Sequence, residues 1–275
     1  MTTGHTDHNP EKEMTILGHL DELRRHILRA LVAIVLAAVV LFAFKDFTFD
    51  QLILGPKSKD FVSYRVFCAI SDALCFHPPD FQLITRQMGE TFVTHLRVSF
   101  YLGLIVAFPY VFYQFWLFVK PGLYPNERKV AGRVVTICSL LFILGVLFGY
   151  YVIAPFAITF LINYTIQGVT NAPTLTSYVS YLVMFTIPTG LIFELPIVVY
   201  FLSKIGLVTP ALMRKYRRHA IVLIFLTAAI ITPPDPMTMF LIAMPLYGLY
   251  EASVLVSAVV ARKRRKAERD EEARS

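Results

Sequence analysis

The sequence predicts an all-α integral membrane protein with about six transmembrane helices and with both termini in the cytoplasm. Of its 275 residues, 56% are hydrophobic and 16% are charged, and the mean hydropathy is +0.60. An ordinary globular domain has roughly a quarter of its residues charged, which argues against a soluble fold. The stretch from Val134 to Phe193 contains no Asp, Glu, Lys or Arg and is long enough for two bilayer crossings joined by a loop.

The basic residues are segregated along the chain, and their positions predict the orientation. Of 26 Lys and Arg residues, 20 lie in four clusters: before residue 30, within 120–133, within 204–218, and after residue 261. Alternate loops are therefore basic, which is the positive-inside pattern of membrane proteins. This pattern places both termini and the second and fourth loops in the cytoplasm. It also explains the net charge of +7 without a nucleic-acid partner.

The apolar segments predict the domain organisation. An N-terminal arm with an amphipathic helix covers residues 1–26, a six-helix membrane domain covers 27–260, and a charged cytoplasmic tail covers 261–275. The six spans are expected at about 27–44, 96–118, 134–154, 181–203, 219–232 and 237–260. Pro109 should kink the second span, and Pro155 should mark the outer end of the third. Pro188 and Pro196 should break the fourth span on either side of Glu194.

The first outer loop, from Lys45 to about Thr94, carries two of the three cysteines. It mixes charged residues and prolines with apolar pieces, so we expect a small ordered cap. Cys68 and Cys75 lie in this loop, where an oxidising compartment would permit a disulfide between them. Two unpaired thiols are the alternative. Cys138 lies in an apolar segment and is expected to behave as an inert, small hydrophobic residue.

The candidate chemistry lies in acidic groups in or near the apolar segments. No metal-ligand cluster, nucleotide-binding loop or nucleophile elbow is present, so the sequence predicts no catalytic site, metal or cofactor. Glu194 falls near the centre of a span, where a carboxylate costs roughly 2.5–3.5 kcal/mol unless it faces a polar cavity or the protein interior. It either lines a binding or transport cavity, or is a protonated side chain satisfied by a neighbouring helix.

Two further acids, Glu22 and Glu127, lie within basic cytoplasmic segments. The positive-inside pattern explains their basic neighbours but gives no reason for the acids themselves. The plain alternative to a binding role is a local ion pair. Glu22 would pair with Arg25 or His26, and Glu127 with Arg128 or Lys129. Asp235 is expected to cap a helix in an outer turn.

Four short segments carry a more specific signal. They read His-Leu-Asp-Glu-Leu-Arg-Arg at 19–25, Tyr-Gln-Phe-Trp-Leu-Phe-Val-Lys-Pro-Gly-Leu-Tyr-Pro-Asn-Glu-Arg-Lys at 113–129, Phe-Glu-Leu-Pro at 193–196 and Thr-Pro-Pro-Asp at 232–235. In this order, on a six-span frame, they resemble the TatC family, a subunit of the twin-arginine protein translocase. The resemblance covers most of the chain.

The resemblance implies a receptor and translocation core, not an enzyme. Such a protein binds the twin-arginine signal peptides of folded precursor proteins and exports them using the proton-motive force. The resemblance also implies a multi-pass protein of the cell inner (cytoplasmic) membrane, surrounded by the lipid bilayer. It implies small single-span partner subunits of the TatA and TatB type, and a homo-oligomer within a larger complex. Some bacterial relatives carry a Gln in the first turn of span 6, whereas Met237, Thr238 and Met239 occupy this turn, which weakens the expectation that a partner helix docks there.

The resemblance also implies a signal-peptide site at the cytoplasmic face. Glu22 and Glu127 match the family's two acids associated with recognition of the arginine pair. Neighbouring positions of the same site are matched by Arg24, Phe118, Pro121 and Tyr124. Two carboxylates can each accept paired hydrogen bonds from a guanidinium, which Lys satisfies less well because it lacks the planar fork.

Within the membrane, the resemblance implies a concave, proline-kinked bundle. Glu194 matches the acid inside its concave face, Pro109 matches the kink in the second span, and Pro196 lies beside Glu194. Asp235, with Thr232 at the start of the same motif, matches the outer turn.

The main alternative is a proton-coupled small-solute secondary transporter with Glu194 as the coupling carboxylate. Such folds usually contain matched halves, but spans 1–3 and 4–6 differ in length, loop size and proline placement. An intramembrane protease is the enzymatic alternative. It would need a Ser/His pair or two Asp residues within the spans, and neither pattern is found in the sequence.

Overall fold

The computed structural model of the chain describes residues 16–70, 72, 75–76, 80–119, 131–168, 171–232 and 236–273. These residues form α1 Ile16–Ala43, α2 Val62–Ile70, α3 Glu90–Val119, α4 Ala131–Phe148, α5 Ala154–Asn163, α6 Leu175–Ile192, α7 Leu195–Lys204, α8 Pro210–Lys215, α9 Arg217–Ile231 and α10 Pro236–Glu272. Within this part of the chain, five helical segments are long and apolar enough to cross a membrane: Leu20–Ala43, Glu90–Val119, Val134–Asn163, Leu175–Lys204 and Thr238–Lys266. The predicted all-helical membrane fold is thereby confirmed.

The third apolar segment does not end at Pro155, and that prediction was wrong. A π-helical turn, Gly149–Ile153, follows α4, and the chain continues as α5 to Asn163. Pro155 falls in the first turn of α5, directly after the π turn. The wider π turn joins the two helices without ending the segment.

The fourth segment begins earlier than predicted and is broken at one place rather than two. The Thr174 hydroxyl accepts a hydrogen bond from the Ser177 N–H at 3.1 Å and caps α6, so the helix begins at Leu175 instead of residue 181. Pro188 lies inside α6 without ending it. The break between α6 and α7 occurs at 193–194, directly before Pro196 in the first turn of α7.

The last two predicted spans differ in length. Helix α9 has 15 residues, about 22 Å at 1.5 Å per residue, and is shorter than the five segments above. Helix α10 continues to Glu272, so the predicted charged tail is largely a helical extension of the last span. The Ala, Arg, Lys and Glu residues of this tail are strong helix formers, which explains why the helix persists.

Close helix crossings hold the bundle together. Helix α1 packs on α3, α4 packs on α6, and α10 packs on both α7 and α9. A Cβ atom at Gly103 of α3 would lie 2.8 Å from the Ala38 backbone nitrogen of α1. A Cβ atom at Gly145 of α4 would lie 2.8 Å from the Gly190 Cα of α6. Small residues at these points allow the helix backbones to approach, as in other membrane bundles.

An ordered cap covers one end of the bundle, as expected for the long first loop. It contains the π-helical turn Phe47–Ile53 and helix α2. The Tyr178 hydroxyl of α6 donates a hydrogen bond to the Ile53 carbonyl at 2.9 Å and ties the cap to the bundle. Of the two alternatives for the cap cysteines, the structure has the disulfide between Cys68 and Cys75.

Candidate functional site

Helices α1 and α3 run antiparallel and are joined by polar and aromatic contacts. His26 Nδ1 of α1 lies 2.7 Å from Gln114 Oε1 of α3, and Gln114 is only 4% exposed. Towards the cap, Phe42 of α1 stacks on His95 of α3 with ring centroids 4.1 Å apart. We call the end opposite the cap, formed by residues 16–29, 114–119, 200–218 and 260–273, the basic end.

Glu22 and Phe118 both lie one helical turn beyond the His26–Gln114 contact, towards the basic end. Glu22 precedes His26 by four residues, and Phe118 follows Gln114 by four. Residues four apart share a helix face, so Glu22 and Phe118 lie on the facing sides of the α1–α3 pair. Glu22 is half-buried, and one of its carboxylate oxygens is shielded from solvent.

The acid that pairs with Arg25 is Asp21 rather than Glu22. Arg25 Nη2 donates a hydrogen bond to Asp21 Oδ2 at 2.9 Å, and both side chains are exposed. His26, the other partner considered for Glu22, is bound to Gln114. Sequence reasoning overlooked Asp21, although its i,i+4 spacing to Arg25 is a standard signal for an intrahelical pair. Arg24 is exposed on the same turn.

Several predicted site residues lie outside the described part of the chain. These are Pro121, Tyr124, Glu127 and Asp235. Helix α3 ends at Val119 and α4 begins at Ala131, and Trp116 and Val134 pack in one cluster there. Thr232 is described: it is buried at the end of α9, and its hydroxyl donates to the Ala228 carbonyl at 2.9 Å.

Glu194 occupies the break between α6 and α7. Its side chain is 9% exposed, and both carboxylate oxygens are shielded from solvent. The Cys138 thiol of α4 lies close enough to interact electrostatically with this carboxyl. A buried carboxyl of this kind can exchange a proton or accept a donor from a bound segment.

A compact apolar cluster connects the Glu194 region with the basic end of α3. Trp116 of α3 packs against Phe201 of α7 with ring centroids 5.1 Å apart, beside Val134 of α4. Glu194 precedes Phe201 by seven residues, which places it roughly 10 Å deeper along the helix axis. The two predicted sites are therefore distinct in depth but share α3 as a neighbour.

The two prolines predicted near Glu194 occupy different positions in the structure. Pro196 is half-buried in the first turn of α7, two residues after Glu194. Pro109 is half-buried inside α3, which continues through it as one helix to Val119. Phe108, next to Pro109, stacks on Phe142 of α4 with ring centroids 3.5 Å apart.

Comparisons with known proteins agree on one family. The family model described as Sec-independent protein translocase protein (TatC) matches residues 18–245. The TatC protein of Blattabacterium sp. subsp. Periplaneta americana (strain BPLAN) is 34% identical over 264 residues, covering 93% of this chain and 99% of that protein. The TatC protein of Listeria innocua serovar 6a is 34% identical over 255 residues, covering 92% and 95%.

A solved structure leads to the same result. The crystal structure of a twin-arginine translocase receptor, TatC, superimposes with a TM-score of 0.70 at 32% identity, covering 88% of this chain and 99% of that one. These relatives are translocase proteins, so the enzymatic and small-solute transporter alternatives are not supported. The chain therefore belongs to the TatC family of Sec-independent protein translocase proteins.

Proposed function

We propose that this protein is the core receptor subunit of a twin-arginine translocase. It binds the twin-arginine signal peptides of folded precursor proteins at its basic end and exports them using the proton-motive force. Glu22 and Glu127 accept hydrogen bonds from the two arginines, with Arg24, Phe118, Pro121 and Tyr124 around them.

The observation that carries this proposal is the position of Glu22 at the α1–α3 pair. It is half-buried, with one oxygen shielded from solvent, at an end of the bundle that is otherwise rich in Lys and Arg. Hydrogen bonds between a guanidinium and a carboxylate are about twice as strong as neutral ones, and partial shielding from water strengthens them further. The basic surroundings repel a signal peptide's arginines everywhere except at such an acid. This contrast favours recognition by a small number of carboxylates.

The orientation and the domain boundaries are part of the proposal. We take α9 as a sixth, short crossing, so that the N-terminus and the C-terminus both lie at the basic end. The positive-inside pattern then puts that end in the cytoplasm, within a multi-pass protein of the inner membrane. The membrane domain covers about 27–260, between an N-terminal arm and a charged C-terminal extension. The prolines are expected to shape a concave bundle.

Glu194 and the outer turn have a separate role in the proposal. Glu194, together with Pro109 and Pro196, lines the intramembrane cavity used during export rather than the recognition site. Thr232 and Asp235 belong to the outer turn. The partners are small single-span subunits of the TatA and TatB type and further copies of this chain in a larger complex.

Site-specific photocrosslinking tests the recognition site. Crosslinkers placed at Glu22 and at Glu127 should capture a twin-arginine precursor in membrane vesicles, and capture should fall at least about tenfold when its arginine pair is changed to lysines. A crosslinker at Met88, fully exposed at the cap end, is the control and should give no arginine-dependent capture. Equal capture of the arginine and lysine precursors at both acids would refute the proposal.

A further inference from the structure

A groove between α7 and α10 lies at the basic end, away from the α1–α3 pair. It encloses a cavity of about 680 Å³ between Tyr200 and Lys204 on one side and residues 255–264 on the other. We propose that this groove binds an anionic phospholipid, with the phosphate at the basic end and an acyl chain along α10. This inference is independent of the signal-peptide site.

The side chains of α10 that line the groove form two parallel stripes, and each stripe runs from apolar residues to a basic residue. Leu255, Val259 and Lys263 are spaced four residues apart and form the first stripe. The second stripe consists of Val256, Val260 and Arg264, also spaced by four. Because residues four apart lie on one face of a helix, each stripe changes from apolar to basic towards the end of the span.

Helix α7 contributes a third stripe of the same kind. Tyr200 is followed four residues later by Lys204, in the last turn of the helix. Tyr side chains are typical of the membrane interface, where the ring is in contact with hydrocarbon and the hydroxyl with the headgroups. All three stripes therefore end in a basic group on the side of the basic end, and none of the described residues lining the groove is acidic.

The loop after α7 lies against one of these basic groups. Gly206 has φ +85°, a conformation that other residues rarely adopt, and a Cβ atom there would lie 2.8 Å from Arg264 Nη1. The guanidinium thus lies directly over the Gly206 backbone. Beneath the groove, the Ser203 hydroxyl donates to the Ser257 hydroxyl at 2.8 Å, which satisfies both buried side chains where α7 meets α10.

The length of the apolar part favours a lipid over a free phosphate. Leu255 and Val259 are 65% and 50% exposed within the apolar segment Thr238–Lys266. Leu255 lies about 12 Å along the helix axis from Lys263, which corresponds to the upper part of an acyl chain. Basic pockets between membrane helices on the cytoplasmic side are suited to anionic headgroups. A free phosphate would make no contact with this exposed apolar wall.

Lipid titration of the delipidated full-length protein, followed by native mass spectrometry, tests the proposal. Dioleoyl phosphatidylglycerol should bind at least about tenfold more tightly than dioleoyl phosphatidylcholine. The triple variant Lys204→Ala, Lys263→Ala, Arg264→Ala should weaken phosphatidylglycerol binding by about 100-fold, since each basic residue near an anionic surface contributes about fivefold. The matched control removes three charges from the same helix outside the groove: Arg262→Ala, Arg265→Ala, Lys266→Ala.

Three results would overturn the proposal. Equal weakening by the two triple variants would mean diffuse attraction rather than a site. Equal binding of the two lipids would remove the role of the charge. Competition by inorganic phosphate at the same concentration as phosphatidylglycerol would assign the groove to soluble phosphate. If the groove variant fails to elute as a monodisperse species, Lys263→Ala alone, at an exposed position, should still weaken binding about fivefold, with Lys263→Arg restoring it.

Discussion

His26 of α1 and Gln114 of α3 lie 2.7 Å apart, between the imidazole Nδ1 and the amide Oε1, one helical turn inside the candidate recognition site. Gln114 is buried in the otherwise apolar C-terminal half of α3. A buried amide without a partner costs roughly 1–3 kcal/mol, so the hydrogen bond favours the register in which α1 and α3 meet. This register places Glu22 beside the last turn of α3.

Gln114→Leu is expected to destabilise the protein by about 1–3 kcal/mol, because it leaves the half-buried His26 without its partner. The measurement is the midpoint of thermal unfolding in mild detergent. Gln87→Leu, at an exposed position just before α3, is the control and should change the midpoint little. Adding His26→Phe to Gln114→Leu should recover part of the loss, since both polar groups are then removed. If the double variant lost as much stability as the two single variants together, His26 and Gln114 would not be coupled.

Glu22→Gln is expected to weaken binding of a twin-arginine signal peptide by about 10- to 100-fold, because it removes a charge-assisted hydrogen bond worth about 1.5–3 kcal/mol. Asp21→Asn is a close control, since it removes an equal charge from the adjacent, exposed residue that pairs with Arg25. It should change binding less than about threefold. Fluorescence titration of a labelled signal peptide against both variants gives the comparison. Equal weakening would point to the net charge of the helix rather than to Glu22.

The sequence was sufficient for the location of the apolar segments but not for their ends. A hydropathy window responds to composition, whereas a helix end depends on local capping. The Thr174 hydroxyl starts α6 before the apolar run begins, and the π turn before Pro155 carries the helix past a residue that usually ends one. The basic run after residue 261 looked like a solvated tail, yet its residues favour helix and continue α10.

The candidate site could be predicted only in part, because its acids are conspicuous in the sequence and their packing partners are not. Glu194 stands out because a carboxylate within an apolar span requires an explanation, and Glu22 stands out because it is an acid in a basic segment. The packing of α3 against α1 does not stand out, because lipid and protein neighbours are both apolar and a uniformly apolar helix gives no sign of its buried face. The contact between Gln114 and His26 could therefore be found only from the structure, as could the contact of Trp116 with Phe201.

Glu194→Gln is expected to impair export while leaving the stability of the protein almost unchanged. The carboxyl is buried, and a neutral amide of nearly the same size avoids the cost of burying a charge, so stability should change by no more than about 1 kcal/mol. Signal-peptide binding should remain within about threefold, whereas export into membrane vesicles should fall at least about tenfold. Equal loss of binding and export would place Glu194 in the recognition site instead.

Glu251→Gln provides the control for that experiment. Glu251 lies near the basic end and accepts a hydrogen bond from Arg217 Nη2 at 2.7 Å, so its charge is already paired. The variant should lose up to about 1 kcal/mol of stability, as for a partly exposed ion pair, and should keep its export activity.

The double variant Cys68→Ser, Cys75→Ser is expected to loosen the cap without unfolding the bundle. The disulfide closes a loop with a sequence separation of 7, for which the chain-entropy relation gives about 2–3 kcal/mol. Phe76, next to Cys75, packs on Phe156 of α5 with ring centroids 4.3 Å apart and should lose this contact more often. Hydrogen exchange of residues 62–70 should accelerate while that of α3 stays unchanged. Dithiothreitol should reproduce the effect in the wild type and add nothing in the variant.

Two glycine substitutions should change the stability of the protein in opposite directions. In Gly103→Ala, the new methyl group would lie 2.8 Å from the Ala38 backbone nitrogen, so α1 has to move away from α3. Overpacking of this kind typically costs about 1–3 kcal/mol. In Gly248→Ala, the methyl group meets nothing within 4 Å, and the higher helix propensity of Ala should stabilise α10 by about 0.5–1 kcal/mol.

The two glycine variants should also differ in signal-peptide binding, because Gly103 lies where α1 crosses α3. Because Gly103 lies 11 residues before Gln114, separating the helices at Ala38 should also strain the His26 contact that positions Glu22. Gly103→Ala is therefore expected to lower both the unfolding midpoint and the affinity for a twin-arginine signal peptide, by about threefold or more. Gly248→Ala should raise the midpoint and leave the affinity unchanged. If Gly103→Ala kept full affinity despite its lower midpoint, the geometry of the recognition site would not depend on the packing of α1 against α3.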